Sequence, residues 1–212
     1  ERMIWLTAWI LKSKKTGCFD ALINTKDTLS RTPLHWAAFY NKPRIIYMLV
    51  KAGANIESKD FLGNTPLHIT TFRGSFNAAE ILLTLNANPN CRNNKYRNPL
   101  HEVAFKNNFN MVRLLIDYGA KLNNIAELNR TPLHEVALNN CWATTPFLLA
   151  SGANVNAQDI HGDTPLHIAA FHGNADVAKQ LLRHGATNTI RNWAMQKPTE
   201  VARARGNHYL AE

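Results

Sequence analysis

The stretch TPLHIAAFHGNADVAKQLLRHGA, residues 164–186, decides how the rest of the chain is read. Its first four residues return as TPLH at Thr32, Thr65 and Thr131, as NPLH at Asn98, and as a worn KPTE at Lys197. Neighbouring copies start 33 residues apart throughout, with no insertion or deletion. A strict period of that length marks a repeat architecture, in which one short supersecondary unit is stacked on copies of itself.

Each column of the repeat has a physical reason. Thr suits a helix N-cap, and the Pro that follows takes the first helical position, where no N–H is needed. The next Leu points inward, and small pairs such as Ala37-Ala38 and Ala169-Ala170 let neighbouring helices approach. A second apolar run follows, as in IIYMLV (45–50) and MVRLLI (111–116). Gly53, Gly119, Gly152 and Gly185 then end that helix in the left-handed conformation Gly favours, with Asn86 as the next most tolerant choice. Arms such as GANIESKD (53–60) lead to the next Thr-Pro.

Recurring together, these columns resemble the ankyrin repeat, from about Asp27 to the C-terminus. The resemblance implies an all-α solenoid of stacked helix-turn-helix units with hairpin-like turn tips. It divides the chain into five full repeats at 27–59, 60–92, 93–125, 126–158 and 159–191, followed by a C-terminal cap at 192–212. In that cap Glu200 replaces the His, and Arg203 stands where small residues stood, with Arg205 two positions on. Residues 1–26 are expected to form irregular N-terminal capping helices built on Trp5, Leu6, Trp9 and Ile10. The apolar run 3–11 is too short to span a bilayer, and its lysines (Lys12, Lys14, Lys15) follow it, the wrong order for a signal peptide. Residues 15–18 also lack the apolar residue of a lipoprotein box, and the opening Glu1 suggests a piece of a longer protein.

The pairs His101-Glu102 and His134-Glu135 resemble the start of a zinc-protease helix, but the fifth positions are Phe105 and Leu138, which bind no metal. With His35, His68 and His167 these histidines form one column. The resemblance implies that they hydrogen-bond within and between repeats. Glu102 and Glu135 are expected to be solvated or part of a binding surface. Cys18, Cys91 and Cys141 share no repeat position, so no disulfide framework is read and a reducing, cytoplasmic setting suits them. No phosphate loop, nucleophile elbow or paired carboxylate is visible, and neither an enzyme nor a cofactor is expected.

Lys and Arg total 24 against 15 Asp and Glu, a net charge of +9. Such a balance favours acidic partners. The absence of a polybasic run counts against nucleic acid and points to a protein partner. The resemblance places binding at the turn tips and on the concave face of the first helices. The tips begin Thr28-Leu29, Phe61-Leu62, Asn94-Lys95, Glu127-Leu128, Ile160-His161 and Trp193-Ala194, and the fifth column holds Arg31, Asn64, Arg97, Arg130, Asp163 and Gln196. After the small pair come Phe39-Tyr40, Phe72-Arg73, Phe105-Lys106, Leu138-Asn139 and Phe171-His172. The expected partner-binding set is therefore Phe39, Tyr40, Phe61, Leu62, Phe72, Arg73, Lys95, Arg97, Phe105, Lys106, Arg130, Leu138, Phe171 and His172. Half the weight of the Phe column falls on packing between repeats. The other half falls on aromatic anchors beside arginines, which receive an acidic-hydrophobic peptide or loop centred on the second to fourth repeats.

One copy departs from the pattern. CWATTPFLLASGA (141–153) puts Pro146 inside the second helix, which is expected to start late, near Thr144 or Thr145, with Trp142 filling the gap. The arm residues Asn90, Asn123 and Asn156, each with Leu eight residues upstream, also resemble targets of an asparaginyl hydroxylase. Functionally, the chain reads as a monomeric protein-interaction scaffold without membrane attachment. The alternative is the recognition half of a ubiquitin-ligase adaptor, pathogen effector or enzyme whose active part lies elsewhere.

Overall fold

The structure, a computed structural model, describes residues 22–210. The capping helices expected around Trp5, Leu6, Trp9 and Ile10, and Cys18, lie outside the described residues. The chain divides into two compact units, 1–94 and 95–212. Among the described residues all regular structure is helical.

In the first unit, α1 (Pro33–Phe39) and α2 (Pro43–Lys51) form one hairpin, and α3 (Pro66–Arg73) and α4 (Phe76–Thr84) the next. First helix packs on first helix and second on second. The second unit runs α5 (Pro99–Ala104), α6 (Phe109–Asp117), α7 (Pro132–Leu138), α8 (Thr145–Ala150), α9 (Pro165–His172), α10 (Ala175–Arg183) and α11 (Pro198–Ala204). There α9 packs between α7 and α11, and α8 lies against α10. Close packing of first helices follows from the small pairs: Ala37, Ala38, Ala104, Ala137, Ala169 and Ala170 are buried. In the second repeat Thr70 and Thr71 take these places, their hydroxyls donating to the carbonyl of Leu67 at 2.8 and 3.2 Å.

The recurring His fastens each first helix. Thr32 N–H donates to His35 Nδ1 (3.1 Å), which leaves the ring proton on Nε2, and Nε2 donates to the carbonyl of Asn64 (3.0 Å). His134 links Thr131 N–H to Asp163 O in the same way, and His167 links Thr164 N–H to Gln196 O. Each of these three imidazoles therefore closes its own helix N-terminus and binds the next repeat, 29 residues on. The Thr hydroxyl lies 2.8–3.0 Å from the same ring nitrogen, Nδ1. Thr164 also accepts from its N3 amide, that of His167, at 3.4 Å. In the worn copy the Glu200 carboxylate takes the imidazole's place, accepting Lys197 N–H at 2.8 Å.

The fourth repeat starts its second helix at Thr145, as Pro146 requires. Trp142 does not fill the gap. It is 55% exposed, and the buried Thr144 and Thr145 close the space by donating their hydroxyls to Cys141 O at 3.1 and 2.9 Å.

Candidate functional site

The turn tips are built by an acid at the first position of the repeat. Asp27, Asp60 and Asp159 each accept two backbone amides from the following four residues, at 2.8–3.1 Å. A left-handed residue then reverses the chain, at Ser30, Gly63 and Gly162 among others. Gly162 is needed twice over. Its φ is +73°, and a Cβ there would lie 2.9 Å from the backbone nitrogen of Trp193. Where Ala126 replaces the acid, the tip loses its carboxylate and becomes a 3-10 turn with both Leu128 and Asn129 left-handed. Within each unit adjacent tips are joined by single backbone bonds, Phe61 N–H to Leu29 O (3.0 Å) and Ile160 N–H to Leu128 O (3.0 Å). This leaves Phe61, Leu62, Leu128, Ile160 and Trp193 exposed.

The ends of the first helices carry the expected rings. Phe72 is 49%, Phe171 41% and Tyr40 37% exposed, while Phe39, Phe105 and Leu138 are half-buried. Several of these rings meet a cation. Arg73 stacks on Phe39 (4.4 Å to the ring centre), Lys106 lies 5.5 Å from Phe105, and Arg205 stacks on Phe171 at 3.7 Å. His172 packs edge-on against Phe171. In the first unit the cluster extends further. Arg31 lies 4.1 Å over Trp36, Tyr40 stacks on Trp36, and the Trp36 indole donates to Asp27 at 3.2 Å.

Two of the fifth-column arginines, Arg97 and Arg130, are engaged within the fold. Arg97 donates from Nε to Glu102 (2.8 Å), from one terminal nitrogen to Glu135 (2.9 Å) and from the other to His101 O (3.0 Å). Burial works against its charge, and the two carboxylates more than offset that, so its proton is held above the ordinary guanidinium value. Glu135 is thus not solvated: it is 7% exposed and closed on Arg97, with Glu102 beside it. Arg130 sits 3.5 Å from the buried Asp159 carboxylate without hydrogen-bond alignment, and Lys95 lies 4.0 Å from Glu127. The sequence pattern gives no sign of Trp36 or of the Glu102–Arg97–Glu135 bridge. The Arg205–Phe171 pair had a signal, because it repeats the 34-residue spacing of Arg73 and Phe39.

The imidazole of His101 meets Asn98 at Nδ1 and Arg130 O at Nε2, so both ring nitrogens are engaged in the fold. Among the described residues no three His, Cys, Asp or Glu side chains stand close enough to share a metal ion, and no helix is long and apolar enough to cross a membrane. The arm Asn156 ties neighbouring arms, accepting Thr187 N–H at 2.8 Å and donating to Thr187 Oγ1 at 3.2 Å.

Two comparisons agree with this geometry. The family described as ankyrin repeats (3 copies) matches residues 6–93, 34–126, 67–159 and 100–192. Among solved structures, the ankyrin repeat domain of Bcl-3, described as a unique member of the IkappaB protein family, is similar with a TM-score of 0.82. It is 28% identical over 95% of this chain and 95% of that one. The chain belongs to the ankyrin repeat family.

Proposed function

We propose that this chain grips an acidic, apolar-anchored peptide or protein surface through the turn tips and the ends of its first helices. Ankyrin repeats are general protein-interaction modules. The observation that carries the finer reading is the exposure of rings at the ends of first helices, Tyr40 and Phe72 in one unit and Phe171 in the other, with Arg73 over the neighbouring Phe39 and Arg205 over Phe171. Exposed aromatics beside arginines are the residue types that dominate binding energy at protein interfaces. The +9 net charge selects acidic surfaces and speeds their encounter. The chain acts as a monomeric scaffold or recruiting arm without chemistry of its own, in a reducing, cytoplasmic compartment suited to the free, buried thiols of Cys91 and Cys141.

The test compares proteins captured from lysate by immobilised wild type and by the Phe72→Ala/Phe105→Ala variant, with thermal melts run in parallel. Loss of a captured protein at unchanged melting temperature is the expected result. Equal capture by both moves the site elsewhere.

A further inference from the structure

In the first unit, Arg31, Trp36, Phe39, Tyr40 and Arg73 form one continuous cluster of rings and cations. Arg31 lies over Trp36 (4.1 Å), Trp36 meets Phe39 and Tyr40 (ring centres 5.9 Å apart in both cases), and Phe39 carries Arg73 (4.4 Å). A cation thus stands at each end of a three-ring platform.

The hydrogen bonding of the two guanidinium groups is incomplete. Asp27 takes the Nε hydrogen of Arg31 at 3.1 Å, and its remaining capacity goes to the amides of Leu29 and Arg31 and to the Trp36 indole. Among the described residues the terminal nitrogens of Arg31 and the whole guanidinium of Arg73 have no acceptor, although each guanidinium lies over a ring. An arginine oriented by a ring and lacking an acceptor is prepared for a carboxylate, since its planar fork loses little freedom on pairing. The same helix position tells the opposite story in the second unit. Trp36 corresponds to Glu102 and Glu135, which share the single positive charge of Arg97 and leave one negative charge over.

Resting on the reading above and deepening it, we propose that the Arg31–Trp36–Tyr40–Arg73 platform is the docking site for an extended acidic segment of a partner protein. Two carboxylates of that segment pair with Arg31 and Arg73, and an apolar residue between them lies on Trp36 and Tyr40. Carboxylates three or four residues apart suit this span, because an extended chain rises about 3.3 Å per residue. Charge complementarity chooses the occupant: a basic segment would meet two guanidinium groups, of which only Arg31 has a carboxylate partner, Asp27, on one edge.

The probe is a fluorescein-labelled Glu-Glu-Leu-Phe-Glu-Glu peptide, with its Lys-for-Glu counterpart and a single-stranded oligonucleotide as competing ligands, read by anisotropy at low salt. The acidic peptide is expected to bind, with affinity falling about tenfold in Trp36→Ala and in Arg73→Glu, as truncation of a central anchor does. Arg44→Glu on α2, an equal charge change on an exposed residue of the second helix, is expected to leave binding within twofold. Trp36→Phe, which keeps a ring at this half-buried position, guards against loss of fold and is expected to bind better than Trp36→Ala. Unaltered binding in both Trp36→Ala and Arg73→Glu, with loss in Phe105→Ala/Phe171→Ala, overturns the platform and leaves the broader interaction reading standing. Preference for the Lys peptide or the oligonucleotide, or no binding of the acidic peptide to wild type, also overturns it.

Discussion

Arg205 holds its guanidinium 3.7 Å from the centre of the Phe171 ring, from a position 34 residues further along the chain. Arg73 and Phe39 repeat the pairing at the same spacing, at 4.4 Å. A ring at the end of one first helix is thus covered on one face by a cation from the end of the next. The Phe column is both packing and surface, because each cation takes one face while Phe171 remains 41% exposed. Replacing Arg205 by Ala should cost about 0.5–1 kcal/mol, the worth of an exposed cation–π contact. Urea unfolding monitored by circular dichroism measures it. A change within error would make the pair incidental.

Arg97 should be far less dispensable. Its removal leaves Glu102 and Glu135 facing each other in a poorly solvated place, since both side chains are largely buried. Breaking a buried ionic group by deleting one partner costs about 3 kcal/mol. Arg97→Ala should lose that much, and adding Glu135→Gln to it should recover part of the loss. Additive losses in the double variant would contradict the bridge.

Acid should loosen the stack. Burial pushes the imidazoles of His35, His134 and His167 below their ordinary value of 6.5. Each ring accepts an amide at Nδ1, so its neutral form is the folded one. The unfolded chain binds more protons than the folded chain once pH drops below about 6.5, and stability therefore falls with pH through the depressed folded values and levels off beneath them. Melting temperature should decline from pH 7.5 to 5, with a smaller decline in His134→Gln. Flat stability over that window would show that protonation does not oppose these bonds.

Thiol chemistry should be slow. Burial pushes the Cys91 thiol up to about 12, with its sulfur 3.3 Å from the Thr65 hydroxyl, and burial raises Cys141 as well. The thiolate is the reactive form. Peptides carrying Cys91 and Cys141 should stay largely unlabelled by iodoacetamide at pH 8 in the folded protein and label fully in guanidinium. Rapid labelling of either in the folded state would mean that its repeat opens.

Local chemistry was legible in the sequence, and long-range pairing was not. Pro at the first helical position, the left-handed Gly53 and Asn86, and the late helix forced by Pro146 all follow from backbone sterics within a few residues. The fate of Trp142 was not readable, because the hydroxyls of Thr144 and Thr145 close the space by bonding to Cys141 O and leave the indole outside. Nor was the Arg97 bridge, whose partners lie 5 and 38 residues away. Trp36 escaped notice because its column continues as Ile69, Glu102, Glu135 and Ile168, with no chemical pattern to follow.

Hydrogen exchange of the chain with a captured partner, free and bound, tests the central claim most directly. The account predicts slowed exchange at the turn tips and at the ends of the first helices, around 36–40, 61–62, 72–73 and 171–172. Slowing confined to the second helices, such as Phe109–Asp117 or Ala175–Arg183, would contradict it.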